Sequence, residues 1–216
     1  MTNNELQNRL GVYLVMGIET VNGLPPLDIA RKAIAGGVDV IQLREKKRSL
    51  KDILEVGRQL RELCKEKNVL FVVNDRVDVA MLLDADGVHV GQDDFPAHEA
   101  RKLIGQDMFI GVSASSMEEA RLAIEQGADY LGVGSIFATK SKDDAGNPVT
   151  PALIEEIRSI TNLPIVGIGG INAENGKEVV ERGANGFAVI SAIVGQPDPE
   201  KAALQLKELL AFRSLS

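Results

Sequence analysis

The sequence predicts an α/β protein, a closed (β/α)8 TIM barrel formed by a single domain over residues 1–216. Three observations carry that prediction. Eight short apolar runs alternate strictly with eight segments of helical period. Strict alternation implies parallel strands, because each crossover helix returns the chain to the same end of the sheet. The apolar runs are nearly unbroken, as expected of strands covered on both faces. The 216 residues leave about 27 per βα unit, near the lower end for such a barrel. An open doubly wound sheet is the rival, but eight evenly spaced units at this length favour closure. No Pro/Ser-rich linker or charge block divides the chain.

In order, the strands are expected at Val12–Met16, Val38–Leu43, Leu70–Asn74, Gly87–Val90, Phe109–Ser113, Tyr130–Gly134, Pro164–Ile168 and Gly186–Ile190. Each is a short apolar run. The helices between and after them are expected near Pro26–Ala35, Leu50–Lys67, Val77–Leu83, Ala97–Leu103, Met117–Gln126, Pro151–Ile160, Ala173–Arg182 and Pro199–Phe212. An internal echo supports repetition: Gly37-Val38-Asp39, Gly127-Ala128-Asp129 and Gly183-Ala184-Asn185 each join a helix to a strand. Glycine there suits the left-handed position that ends a helix.

Composition narrows the function. A net charge of −7 argues against a polyanion-binding surface, and the absence of Trp with 4% aromatics argues against base stacking, so no nucleic-acid partner is expected. Cys64 is the one cysteine, which excludes an intrachain disulfide and a thiolate zinc cluster. Met1–Leu10 is polar and lacks the apolar stretch of a signal peptide, and the longest nearly apolar run, Phe187–Gly195, is far too short to span a bilayer. A soluble cytoplasmic protein acting on small molecules is expected.

In such a barrel the chemistry sits at the C-terminal ends of the strands. After the second strand, Gln42 and Arg44 share one face and Ile41 and Leu43 the other. Ile41 and Leu43 should meet the helices, and Gln42, Arg44 and Lys46 should face an anion at the mouth. Lys47 and Arg48 read as a solvated basic run. Asn74-Asp75 follows the third strand and Gly91-Gln92-Asp93-Asp94 the fourth. Adjacent strand ends bring Asp75 close to Asp93 or Asp94. Two converging carboxylates repel unless something positive lies between them, and a hard cation, typically Mg2+ with waters and substrate phosphates, answers that need. Taken singly, each acid could instead cap the following helix; the paired placement favours a metal. After the sixth strand runs the longest loop, where Thr139, Ser141 and Lys142 could hold an anion. The Gly169-Gly170 pair and Ile190-Ser191 follow the seventh and eighth strands, the recurrent phosphate site of these barrels. His89 reads as a satisfied residue inside a strand, His98 lies in a first helical turn, and Cys64 packs on a helix; none has a visible nucleophilic arrangement.

Together the motifs Gln42-Leu43-Arg44-Glu45-Lys46, Asn74-Asp75, Asp86–Asp94, Gly111-Val112-Ser113, Gly134–Lys142, Ile168–Asn172 and Val189–Ile193 resemble the thiamine-phosphate synthase family. In this order, each after its own strand, they are highly specific, and the resemblance runs from Val12 to Ile193. It implies an enzyme that joins 4-amino-2-methyl-5-hydroxymethylpyrimidine diphosphate to 4-methyl-5-(2-hydroxyethyl)thiazole phosphate, or its carboxylated form, releasing diphosphate by a dissociative, carbocation-like route. It further implies that Gln42, Arg44, Lys46, Asn74, Ser113 and Lys142 face the pyrimidine diphosphate, with Arg44, Lys46, Lys142 and Ser113 aiding catalysis. Asp75 and Asp94 would hold Mg2+, the Gly-Gln-x-Asp spacing selecting Asp94. Thr139, Ser141, Gly170, Ile190 and Ser191 would bind the thiazole phosphate. Ser135 and Ala138 stand where the family usually has proline, Lys140 adds a charge, and the first strand ends Val15-Met16-Gly17. The alternatives are a thiazole tautomerase-like isomerase, which has no need of the diphosphate and metal set, and a non-catalytic phosphate-ligand binding barrel.

Overall fold

A computed structural model describes residues 2–139 and 148–213. Eight parallel strands close into a barrel in chain order. They are β1 Val12–Met16, β2 Val40–Leu43, β3 Leu70–Asn74, β4 Gly87–Val90, β5 Phe109–Ala114, β6 Tyr130–Val133, β7 Ile165–Ile168 and β8 Gly186–Val189. The β1–β8 pairing, with Tyr13 opposite Ala188, completes the closure. Outside lie α2 Pro26–Ala35, α3 Leu50–Glu66, α4 Val77–Leu82, α5 Ala97–Ile104, α6 Met117–Glu125, α7 Ala152–Arg158, α8 Gly176–Glu181 and α9 Pro199–Leu209. The expected barrel is thus the observed one, with some boundaries unchanged and none moved by more than three residues. None of the helices among the described residues is long and apolar enough to cross a membrane.

One helix was not expected. α1, Asn3–Arg9, precedes the barrel. It starts with a reciprocal cap, in which the Thr2 side chain accepts from the Glu5 N–H while the Glu5 carboxylate accepts from the Thr2 N–H. Leu6 on the helix and Leu10 just after it are buried in the cluster that fills the barrel interior. They close the end of the barrel opposite the mouth.

Period-2 alternation divides each strand between two cores. Ile41, Leu43, Phe71, Val73, Ile110 and Leu131 belong to the layer against the helices. Tyr13, Val15, Val40, Val72, Phe109, Tyr130 and Val166 fill the barrel. Two of the interior aromatic rings fit because glycines face them. A Cβ on Gly111 would lie 2.1 Å from the Tyr130 ring, and one on Gly87 2.2 Å from Phe109. Gly111→Ala must therefore displace a wholly buried ring. It is expected to cost about 2–3 kcal/mol, measured by urea unfolding, the usual penalty of overpacking.

The far end of the barrel explains the sequence echo. Just before each even-numbered strand stands Asp39, Asp86, Asp129 or Asn185. Their side-chain oxygens accept the N–H of Val12, Phe71, Ile110 and Ile165, at 2.8, 2.8, 2.7 and 2.9 Å, at the start of the preceding odd-numbered strand. A basic side chain then clamps each one: Lys207 on α9 to Asp39, Arg61 on α3 to Asp86, Arg101 on α5 to Asp129, and Arg158 on α7 to Asn185. In each case the base lies on the helix that leaves the previous even-numbered strand. The unit of repetition is therefore two βα pairs, used four times. Gly37, Gly127 and Gly183 precede three of the clamps at φ 99, 83 and 100°, and Asp84 takes the same role in the fourth at φ 50°.

Candidate active site

At the C-terminal end of the strands opens a cavity of about 630 Å³. Arg44, Lys46, Asn74, Asp75, Asp94, Ser113, Thr139, Gly170, Ile190 and Ser191 all line it, together with His89, Gln92 and Asp93. Of the residues expected here, Gln42 points inward on the face of Arg44 but lies deeper. It is buried, and its Nε2 donates to the Tyr13 hydroxyl at 2.8 Å. Ser141 and Lys142 fall outside the described residues.

The acidic side of the mouth is built by two neighbouring strand ends. Asn74 closes β3, and Asp75 then turns at φ 61°, a left-handed conformation that Asp tolerates better than most residues. The Asp75 N–H donates to the His89 carbonyl at 2.8 Å, which ties the turn to β4. The next loop folds back so that Asp94 Oδ2 accepts the Gly91 N–H at 2.9 Å. This sets the Asp94 carboxylate against that of Asp75. Lys46 Nζ lies 3.4 Å from Asp75 Oδ2. Burial, and next the neighbouring Asp94 carboxylate, push the Asp75 carboxyl up to about 6, against the opposing pull of Lys46. Two crowded acids beside an open cavity suit a hard divalent cation. No three His, Cys, Asp or Glu side chains gather as a metal cluster among the described residues. Such an ion would draw its other ligands from water or substrate oxygens, the habit of Mg2+.

Glycines shape the opposite side. Gly169 and Gly170 follow β7 at φ 102 and 63°. A Cβ on Gly170 would lie 2.6 Å from the Ala138 carbonyl, so glycine lets the β6 and β7 loops close together. Asn175 Nδ2 donates to the Gly170 carbonyl at 3.0 Å, fixing the turn before α8. After β8, a turn bonds the Ile193 and Val194 N–H groups back to the Ile190 carbonyl at 3.0 and 2.8 Å. Ser191 is exposed within it, on the cavity wall.

The floor was the least expected part. His89 is satisfied, as its place in a strand suggested, but it also faces the cavity. Nδ1 is 2.8 Å from the Tyr130 hydroxyl and Nε2 2.9 Å from Ser113 Oγ. Tyr130 in turn lies 2.9 Å from the Tyr13 hydroxyl. Gln92 Nε2 donates to the Ser113 carbonyl at 2.6 Å. The signal for this layer is present in the sequence, since Tyr13 and Tyr130 fall at inward-facing positions of their strands.

Comparison with known proteins agrees with the motifs. Residues 12–193 match the model of the thiamine monophosphate synthase family. A thiamine-phosphate synthase of Moorella thermoacetica is 48% identical over 199 residues, covering 92% of this chain and 95% of its own. One of Coprothermobacter proteolyticus is 46% identical over 210 residues, covering 97% and 99%. The solved structure of thiamine phosphate pyrophosphorylase from Pyrococcus furiosus superposes with a TM-score of 0.88 at 39% identity, covering 95% of this chain and 98% of that one. With a family model spanning most of its length and full-length relatives this similar, the chain belongs to the thiamine monophosphate synthase family of transferases.

Proposed function

We propose that this barrel, acting as one domain in the cytoplasm, condenses 4-amino-2-methyl-5-hydroxymethylpyrimidine diphosphate with 4-methyl-5-(2-hydroxyethyl)thiazole phosphate, or its carboxylated form, in a Mg2+-dependent reaction giving thiamine phosphate and diphosphate. The observation that carries the reading is the juxtaposition of Asp75 and Asp94 with Lys46 and Arg44 around one cavity. A phosphate-binding barrel without diphosphate chemistry has no use for that crowded acid pair. Asp75 and Asp94 would hold the ion, which when bound neutralises diphosphate charge.

The chain's own residues then divide the work. Arg44, Lys46 and Lys142 would face the leaving diphosphate and Asn74 would help seat the pyrimidine, with Gln42 a layer beneath, tied to Tyr13. Ser113 sits on the floor beneath it. Thr139, Ser141, Gly170, Ile190 and Ser191 would hold the thiazole phosphate, so that the thiazole nitrogen meets the pyrimidine methylene as diphosphate departs. The amino group of the pyrimidine can feed electron density to the cationic methylene, and the thiazole nitrogen needs no base to expose it. The enzyme's main task is thus to stabilise the departing anion. Each preorganised positive group facing developing charge contributes roughly 3–4 kcal/mol, so the set supplies about 10 kcal/mol, with the usual non-additivity.

The purified chain, both substrates and Mg2+ should yield thiamine phosphate, read by mass or by oxidation to fluorescent thiochrome, and chelation should abolish it. Absence of that product would overturn the reading; isomerisation of a thiazole phosphate without the pyrimidine would favour a tautomerase. Lys142→Ala should lower kcat more than it weakens thiazole phosphate binding. A pure loss of affinity would leave Lys142 a docking residue.

A further inference from the structure

Five polar side chains run in a line from the barrel interior to the cavity: Gln42, Tyr13, Tyr130, His89 and Ser113. Both tyrosines are wholly buried, and burial holds their phenols well above the ordinary range, so each stays neutral with one proton to give. The rings have room because Gly111 faces Tyr130 and Gly132 faces His89, where a Cβ would lie 2.8 Å from Cε1. Such a line of single-proton hydroxyls can run in only one direction at a time.

The inner end sets that direction. The Gln42 amide nitrogen can only donate, so the Tyr13 oxygen accepts, and its own hydrogen goes to the Tyr130 oxygen. Tyr130 must then give its hydrogen to His89 Nδ1. A neutral imidazole accepting at Nδ1 carries its hydrogen on Nε2, which donates to Ser113 Oγ. The Ser113 hydrogen is thereby turned away from His89 and toward the cavity that Ser113 lines.

We propose that Tyr13, Tyr130 and His89 are positioning residues that fix His89 as the Nε2–H tautomer and so make the Ser113 hydroxyl an obligatory donor to an acceptor atom of the substrate. On the reading of the site given above, on which this rests, the available acceptors belong to the pyrimidine diphosphate: ring nitrogens and oxygens of the leaving group. Ser113 would meet such an atom without first having to reorient, the form of preorganisation that most helps a transition state.

The tautomer is read without substrate. Long-range 15N–1H NMR of histidine-labelled protein, at a pH where imidazole is neutral, should show His89 as a single Nε2–H form. The only other histidine, the exposed His98, is assigned with His98→Gln. An Nδ1–H form, meaning that the line runs the other way, or an average of two tautomers would overturn the proposal. Tyr130→Phe keeps the ring and removes the link, so a mixture of tautomers should appear; Tyr13→Phe, one step further in, should do the same if Tyr130→Phe folds poorly. Kinetically, Tyr130→Phe should lower kcat about tenfold with little change in KM, the loss of one fixed hydrogen bond. Combined with Ser113→Ala it should cost no more than Ser113→Ala alone. Multiplying losses would overturn the proposal, because a ring with a merely structural role acts independently of the Ser113 hydroxyl. A chain that makes no thiamine phosphate yet shows the single tautomer would refute the synthase reading while leaving the relay standing.

Discussion

Asp75→Asn is expected to lose roughly 100- to 1000-fold in turnover while its unliganded form melts at or above the wild type. Both halves follow from one geometry. The Asp75 carboxylate is partly buried, is pressed by the Asp94 carboxylate, and is only partly relieved by Lys46 at 3.4 Å. That crowding holds its carboxyl near 6, against an ordinary 3.8. The native state therefore binds this proton more tightly than the unfolded chain does. The resulting stability is fully present below about pH 4 and is lost as pH rises through about 6. At neutral pH the acid pair is a liability without a cation and the source of affinity with one. Asn removes the repulsion, keeps the backbone N–H bond to His89, and tolerates the φ of 61° that Asp75 occupies. Ala would strain there and confuse the result. Thermal melts at several pH values check the claim: the wild type without Mg2+ should melt lower as pH rises from about 4 to about 7, and the variant should show a flatter profile. Added Mg2+ should raise the wild-type melting temperature above pH 6 and leave the variant almost unmoved. A variant that keeps full turnover would remove Asp75 from the metal site, and one that melts well below the wild type would show that the pair is structural.

Those two acids were legible because the fold places consecutive strand ends side by side, so that Asn74-Asp75 and the Gly91–Asp94 stretch had to meet. Residue type alone could not choose between Asp93 and Asp94, and the choice of Asp94 came only from the Gly-Gln-x-Asp spacing of the family the chain resembles. Physically it depends on the turn in which Asp94 Oδ2 caps the Gly91 N–H, and that puts Asp94, not Asp93, against Asp75. Depth was harder to read than direction. Alternation put Gln42 on the same inward face as Arg44, correctly, but nothing in a period of two says which inward layer a residue occupies. Gln42 lies a layer lower, bonded to Tyr13, where a polar side chain requires a partner. His89 was read as satisfied from its place in a strand, and it is. That its partners form a line reaching the cavity depends on pairing across strands, with His89 opposite Gly111 and Gly111 opposite Tyr130.

The barrel itself was legible because its strands are apolar on both faces and its helices are not. The misses have local causes. Val38 is apolar and buried, so it read as strand; in fact its N–H bonds back to the Ala33 carbonyl, and β2 begins at Val40. α1 read as polar because its buried contacts come from Leu6 and Leu10 alone, too few for a helical stripe. Its better signal was Thr2 followed three residues later by Glu5.

The fourfold clamp at the far end of the barrel leads to the second large effect, a pair of substitutions of opposite sign at equivalent positions. Asp129→Ala removes the acceptor for both the Ile110 N–H and the Arg101 guanidinium. The Asp129 and Arg101 side chains are 32% and 20% exposed, so the loss should fall below that of a fully buried pair, at about 2–3 kcal/mol. For a chain of this size that lowers the melting temperature by roughly 4–12 °C. Asn185→Asp should do the reverse. Arg158 donates to the carbonyls of Thr161, Leu163 and Gly183 and to Asn185, yet burial draws its pKa down with no carboxylate to oppose it. Three of the four clamps pair an acid with a base, and this one alone is neutral on one side. A carboxylate at 185 would keep both bonds to Oδ1 and make them charge-assisted, a gain of about 1 kcal/mol. Urea unfolding of the two variants measures both signs on one scale. Because every clamp lies at the end of the barrel away from the mouth, kcat of the folded fraction should be unchanged in each. A loss of activity without a loss of stability would mean that the clamps set the register of the strand tips, and with it the spacing of Asp75 and Asp94, rather than only holding the barrel closed.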